Sequence, residues 1–385
     1  MIAIPVHGGA LRNPGIDALR GLSIVLVVLH HLALRIPLRD TALAGVLPRR
    51  LLGALSYNGY EAVFVFFVIS GFLIARHSLD RWGRLADIDV RAFYARRAAR
   101  ILPCLLALVA VLSVLHVLGV ENYVIDRPGQ SLHGTVLSAL GLYLNWYEGR
   151  TGWLPGGWDV LWSLSIEEVF YLGFPLVCLL VRDVRALVAA LVVLALSLPA
   201  TRAAIDGNQI WQEKAYLPGM AAIAAGILAA LAARRFAPGR PVARALAAAG
   251  ALGLLATLLC GDLLWRAAGN GTMLVLTASA AVLVLGLHWG HARGARPLRG
   301  LGWLRSFGRQ SYEVYLTHMF VVFAIVAAFR AAGGDVRTGA WWYLPALALC
   351  WALGALVARW YSEPCDRALR RRWLPGQRAV AAAAG

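Results

Sequence analysis

Arg20 and His31 lie eleven positions apart in IDALRGLSIVLVVLHHLALR, residues 16–35, a mostly apolar run. A helix turning about 100° per residue brings the eleventh side chain back to within about 20° of the first. The two share one face, roughly 16 Å apart along the axis at about 1.5 Å per residue. With Arg20 at a cytoplasmic boundary, His31 falls near the middle of a bilayer. Ionisable groups at that depth are costly, and each is a functional candidate. His30 points about 100° away and suits a structural role. On this helix alone, both imidazoles could equally be packing residues with hydrogen-bond partners.

Four more stretches carry polar side chains in apolar surroundings. FFVISGFLIA, residues 66–75, holds Ser70-Gly71, which reads best as a small-residue contact between helices. Without a G-x-S-x-G turn, Ser70 is a poor nucleophile. FYARRAARILP, residues 93–103, sets Arg97 and Arg100 on one face at the cytoplasmic mouth of a helix. Such a pair can simply fix topology, or its forked guanidiniums can hold a phosphate. WSLSIEEVFYLGFP, residues 162–175, places Ser163, Glu167 and Tyr171 on an i, i+4, i+8 stripe. Its adjacent glutamates need a partner or a proton, and a structural ion pair with another helix would satisfy them. GRQSYEVYLTHMF, residues 308–320, lines up Ser311, Tyr315 and His318 near a cytoplasmic end, flanked by Tyr312 and Glu313.

The elements that must position these groups follow from composition. Of 385 residues, 60% are hydrophobic and 15% charged. That excludes disorder and an ordinary soluble domain. Eleven apolar segments recur, at about 16–35, 60–76, 101–119, 134–147, 162–180, 186–203, 216–233, 245–262, 272–289, 307–328 and 342–360. The formal charge of +17 comes from arginines bunched between these segments. It reads as a positive-inside topology signal rather than a nucleic-acid footprint, with a share available to anionic lipids or a phosphorylated substrate. Loops 76–100, 232–244 and 290–305 and the run RALRRRW at 367–373 are therefore assigned to the cytoplasm. The loop at 181–185 must then be cytoplasmic too, so only one crossing fits between residues 120 and 181. The segment 134–147 is short and reads as re-entrant or interfacial. The expected fold is an all-α polytopic membrane protein, a bundle of about ten transmembrane helices with both termini inside. Loop 36–59, with Arg39, Arg49 and Arg50 outside, runs against the trend. The five cysteines read as free thiols, no cleavable signal peptide is evident, and the tail QRAVAAAAG reads as frayed.

In order, IDALRGLSIVLVVLHH, FFVISGFLIA, FYARRAARILP, WSLSIEEVFYL and GRQSYEVYLTH, with WYSEP near the end, resemble acyltransferase family three. These are integral-membrane enzymes that O-acylate carbohydrates and related hydroxyl compounds. The matches run from residue 16 to 364. The resemblance implies one domain over residues 1–385, with a core at about 16–364 and a basic cytoplasmic tail at 365–385. The family's basic residue, ten residues, then histidine falls on Arg20 and His31, which selects His31 over His30. Its Arg-x-x-Arg falls on Arg97 and Arg100, and its glutamate after Trp-Ser-Leu on Glu167. Two departures stand out: Val169 replaces a commonly polar residue, and WYSEPCD lacks the usual lysine between Glu and Pro. There is no esterase-like domain of the kind some relatives carry, so the expectation is a membrane domain acting alone.

The resemblance implies an acyl-CoA donor, usually acetyl-CoA, entering from the cytoplasmic side of a bacterial inner membrane, and no metal. Arg97 and Arg100 would take its phosphates, with Ser311, Tyr315 and His318 completing the donor site. The acceptor would be a hydroxyl of a cell-surface or exported carbohydrate or glycolipid. His31 would act as general base on that hydroxyl, or carry the acyl group as an acyl-imidazole. Arg20 would orient His31 or bind the donor. Glu167, entering from the outer end, would hold the imidazole or the acceptor. The rival readings are a secondary transporter, against which the lack of internal repeats counts, and a non-catalytic partner in polysaccharide export. No nucleic acid is expected as a partner.

Sidedness tests the parity argument. Single cysteines placed at 148–160, in a background without the native five, should react with an impermeant thiol reagent on intact cells. Cysteines at 181–185 and 236–242 should react only after permeabilisation. External labelling at 181–185 would show that residues 134–147 cross the membrane.

Overall fold

The computed structural model describes residues 12–205 and 207–374. The expected frayed tail lies outside them. The described residues form helices and connecting turns without a strand. The first is α1 (Pro14–Ala33), started by Asn13, whose side chain accepts from the amides of Gly15 and Ile16, and by Pro14 at the first helical position. Short α2 (Arg49–Tyr57) leads into α3 (Gly59–Trp82). Asp89 caps α4 (Val90–Val117) by accepting from the Ala92 amide.

Helix α4 begins eleven residues before the apolar segment that the sequence marks, because the cap lies upstream of the arginines. Arg97 and Arg100 are therefore helical rather than part of a long loop, and the connection shrinks to residues 83–89. The short segment at 134–147 becomes α5 (Leu132–Leu140) and α6 (Leu144–Thr151), each too short to cross. Next come α7 (Gly156–Asp159) and α8 (Trp162–Leu180). The following run divides into α9 (Val184–Leu196) and α10 (Leu198–Ala203), interrupted at Ser197. Pro199 has no N–H for the Ala195 carbonyl, which explains the break.

The second half comprises α11 (Gln209–Lys214), α12 (Tyr216–Arg235), α13 (Arg240–Leu259), α14 (Gly261–Ala268), α15 (Gly271–Ala292), α16 (Gly302–Arg309), α17 (Ser311–Ala331), α18 (Tyr343–Val357) and α19 (Glu363–Trp373). Nine helical stretches among the described residues are long and apolar enough to cross a membrane. The expected tenth is the divided α9–α10, whose longer part has only 13 residues. Residues expected as a basic tail from 365 onward are helical through Trp373. A single π-helical turn, Ala358–Ser362, joins α18 to α19.

Two close crossings position the interior. Where α1 meets α16, a Cβ on Gly21 would lie 1.9 Å from the Leu304 carbonyl oxygen, and one on Gly308 would lie 1.8 Å from that of Asp17. The contact delivers the start of α17 to Arg20. Where α3 meets α12, Gly71 stands the same way against Ile223, at 2.0 Å. The expected small-residue contact thus belongs to Gly71, while Ser70 turns toward the interior.

Gly308→Ala should lower the thermal unfolding midpoint by several degrees, because backbone atoms on α1 cannot give way. Gly173→Ala, where nothing lies within 4 Å, should be neutral or stabilising by up to about 1 kcal/mol. Equal midpoints for both variants, measured in the same detergent, would contradict the tight crossing.

Candidate functional site

Polar side chains fill the interior in two groups. The first lies toward the arginine-rich end. Arg20 donates through Nη2 to Ser311 Oγ at 2.8 Å. Ser70, Arg97, Arg20 and Tyr171 all face Glu167. The Arg97 guanidinium lies over the Tyr171 ring, 3.7 Å from its centroid, and also faces Glu168. Buried Arg97 Nε and Glu168 Oε1 have no hydrogen-bond partner. An unmatched buried donor beside a part-open guanidinium is what an incoming phosphate oxygen would satisfy.

Arg100 behaves differently. Its Nη1 lies 2.8 Å from Glu313 Oε1 and donates to Ser362 Oγ at 2.9 Å. Ser362 donates in turn to the same carboxylate oxygen at 2.6 Å. The π turn ends on Ser362, and its extra residue per turn re-aims that side chain. Arg100 is thus already neutralised by a nearly fully buried glutamate.

The second group surrounds the histidines. His31 lies two residues from the end of α1, not near the middle of a span as an Arg20 boundary would put it. Its ring centroid is 5.2 Å from that of His318 and 5.3 Å from that of His30. His30 donates through Nδ1 to the Ser56 carbonyl at 2.9 Å, which gives it a structural bond. His318 donates through Nδ1 to the Tyr315 carbonyl at 2.6 Å. That fixes its tautomer and leaves Nε2 as a buried acceptor without a partner. Tyr315 donates to the Val160 carbonyl at 2.9 Å, so Ser163 is the donor in the 2.7 Å contact with the Tyr315 hydroxyl.

Two expectations change. Ser311, Tyr315 and His318 do share one face, but that face runs lengthwise, and His318 meets His31 instead of the arginine-rich mouth. Glu167 faces the arginines and not the imidazoles. Chain parity says which end of a helix enters first. It does not say at what depth a side chain finds its partner.

One constellation escaped the sequence reading. Lys214 Nζ lies 2.8 Å from Glu148 Oε2 and also pairs with Asp159, while the Trp153 ring covers it at 4.2 Å. Burial and the neighbouring Asp159 charge push the Glu148 carboxyl well above the usual carboxylate range. The signal was available: Lys214 is the only lysine among the chain's 37 lysines and arginines. A compact ammonium with three donors suits two converging carboxylates better than a planar fork does. Arg35, missed as well, donates to the His31 carbonyl at 2.7 Å.

Residues 13–360 match the family model described as an acyltransferase domain. The chain is 25% identical over 218 residues, 54% of its length, to the peptidoglycan O-acetyltransferase OatA of Listeria monocytogenes. It is 28% identical over 175 residues, 43% of its length, to the O-acetyltransferase OatA of Staphylococcus aureus. The matched segments span 29% and 24% of those two proteins, less than a third of either. No solved structure matches.

The Arg100–Glu313 pair makes its own prediction. Arg100→Ala leaves a buried carboxylate unpaired and should destabilise by about 3–5 kcal/mol. Adding Glu313→Gln should restore much of the loss. Thermal unfolding of the purified variants measures both, and an undiminished midpoint in Arg100→Ala would mean that the pair is solvated.

Proposed function

The chain belongs to the acyltransferase domain family that it matches over residues 13–360, and from that membership we propose that it is a membrane O-acyltransferase taking acyl, chiefly acetyl, groups from acyl-CoA to a hydroxyl of an exported carbohydrate. The observation that carries this reading is a file of polar groups from α4 to the end of α1. It runs from Arg97 through Glu167, Arg20 and Ser311 to Tyr315, His318 and His31. A thioester on a long pantetheine arm suits such a passage. The polar nucleotide stays at the arginine-rich, cytoplasmic mouth while the reacting carbon reaches the imidazoles.

In this mechanism Arg97 and Arg20 are the phosphate and donor contacts. Glu167 offsets the charge of both guanidiniums. Arg100 shapes the mouth through Glu313 and Ser362. His31 takes the proton from the acceptor hydroxyl as its oxygen attacks the thioester carbonyl. The carbon–sulfur bond then breaks, and the CoA thiolate leaves and picks up a proton. In the relay variant, His31 attacks first and hands its acyl group to the acceptor. The buried Nε2 of His318 is placed to accept a hydrogen bond from His31 or from a donor amide. The thioester is activated, so no other energy source is needed. The names of the relatives favour a cell-wall glycan among carbohydrate acceptors.

His31→Ala should abolish CoA release from acetyl-CoA by purified protein while leaving accumulation intact. His30→Ala should keep turnover and lose stability, because its Ser56 bond is broken. Arg97→Ala should raise the KM for acetyl-CoA about tenfold or more, with partial recovery in Arg97→Lys. Full activity in His31→Ala would overturn the assignment. No thioester consumption by the unmodified protein would favour a role in export.

A further inference from the structure

Residues 121–127 and 153–155 enclose a cleft of about 330 Å³ at the end of the bundle opposite Arg97. Its walls are fixed. Gln130 Nε2 donates to the Gly152 carbonyl at 2.7 Å, Trp158 Nε1 donates to the Tyr123 carbonyl at 3.3 Å, and the Ile125 amide donates to His116 Nδ1 at 3.0 Å. Asn122 and Gly152 take left-handed backbone angles, φ 70° and 98°, which shape the two loops.

The lining combines the indole of Trp153 with Glu121, Asn122, Asp126 and Arg127. Two carboxylates disfavour an anion. Arg127, with Arg330 3.6 Å from Glu121, offsets those charges and disfavours a cation. A purely apolar ligand would leave all these groups unmatched. A neutral ring bearing many hydroxyls fits: its C–H face can lie on the indole while paired hydroxyls bond the carboxylates and the amide.

Position supports the same class of ligand. Trp153 covers Lys214, and Pro155 of the same wall precedes Gly156, where a Cβ would lie 3.3 Å from Nη2 of Arg35, the residue that donates to the His31 carbonyl. The wall on which a ring would stack therefore leads, through Gly156 and Arg35, to the end of α1 that carries His31. We propose that this cleft docks a sugar residue of the acceptor chain, so that a neighbouring residue can present its hydroxyl to His31. The proposal rests on the transferase reading for its purpose, but not for its measurement.

Full-length protein in nanodiscs can be titrated with chitotetraose and with maltotetraose, and binding followed by saturation-transfer NMR. Saturable binding of at least one is expected, weakened about tenfold or more by Asp126→Asn and by Glu121→Gln, as loss of a charge-assisted hydrogen bond implies. Trp153→Ala should act similarly, with partial recovery in Trp153→Phe. Because Trp153 also covers Lys214, the two exposed carboxylates decide the matter if Trp153→Ala fails to fold. Acetyl-CoA affinity, measured on the same samples, should not move. Binding of neither saccharide, or variants that bind like the unmodified protein, would overturn the proposal. Saccharide binding without any thioester consumption would support the cleft and count against the transferase reading.

Discussion

A guanidinium or ammonium inside an apolar bundle must meet an opposite charge, and here the partners come from different helices. Arg97 of α4 faces glutamates of α8. Arg100 of the same helix meets Glu313 of α17. Lys214, the last residue of α11, meets carboxylates of α6 and α7. The desolvation cost of each charge would be several kcal/mol if left alone. The ion pairs of Arg100 and Lys214 are therefore strong constraints on which helices can be neighbours. Greasy surfaces alone could not impose that order, since apolar side chains have no preference among one another in lipid.

The same pairs separate roles among side chains of one type. Arg97 retains an unmatched donor, whereas Arg100 is shared between a carboxylate and a hydroxyl. His30 is tied to a backbone carbonyl, and His318 keeps a free lone pair beside His31. What each residue can do depends on what its neighbours have left unsatisfied.

Much of the fold was legible because apolar runs of bilayer length are hard to mistake. The Arg20–His31 spacing and the shared face of Ser311, Tyr315 and His318 also survive, because helical periodicity is local. What failed required knowledge of a second helix or of a true helix start. His31 was placed near mid-helix because Arg20 was treated as a boundary, although α1 begins six residues earlier at Pro14 and ends two residues after His31. Glu167 was expected at the imidazole or the acceptor and faces Arg97 and Arg20, since parity carries no information about depth. The Lys214 group could not be assembled from spacing, since Glu148, Asp159 and Lys214 lie on three short helices that no periodic pattern links. The lone lysine was the only local clue.

The α1–α16 crossing has a mechanical meaning. With no room for even a methyl group between Gly21, Gly308 and the opposing backbones, α1 and the head of α17 move as one body. Arg20, Ser311 and the histidine pair sit on that body. Any widening of this polar interior must come from the other wall, formed by α4 and α8. Those two helices carry internal prolines, Pro103 and Pro175, and each lacks one rung of its hydrogen-bond ladder. The interior is thus built like a vice with one fixed jaw, which holds Arg20, Ser311 and the histidines, and one compliant jaw, which carries Arg97.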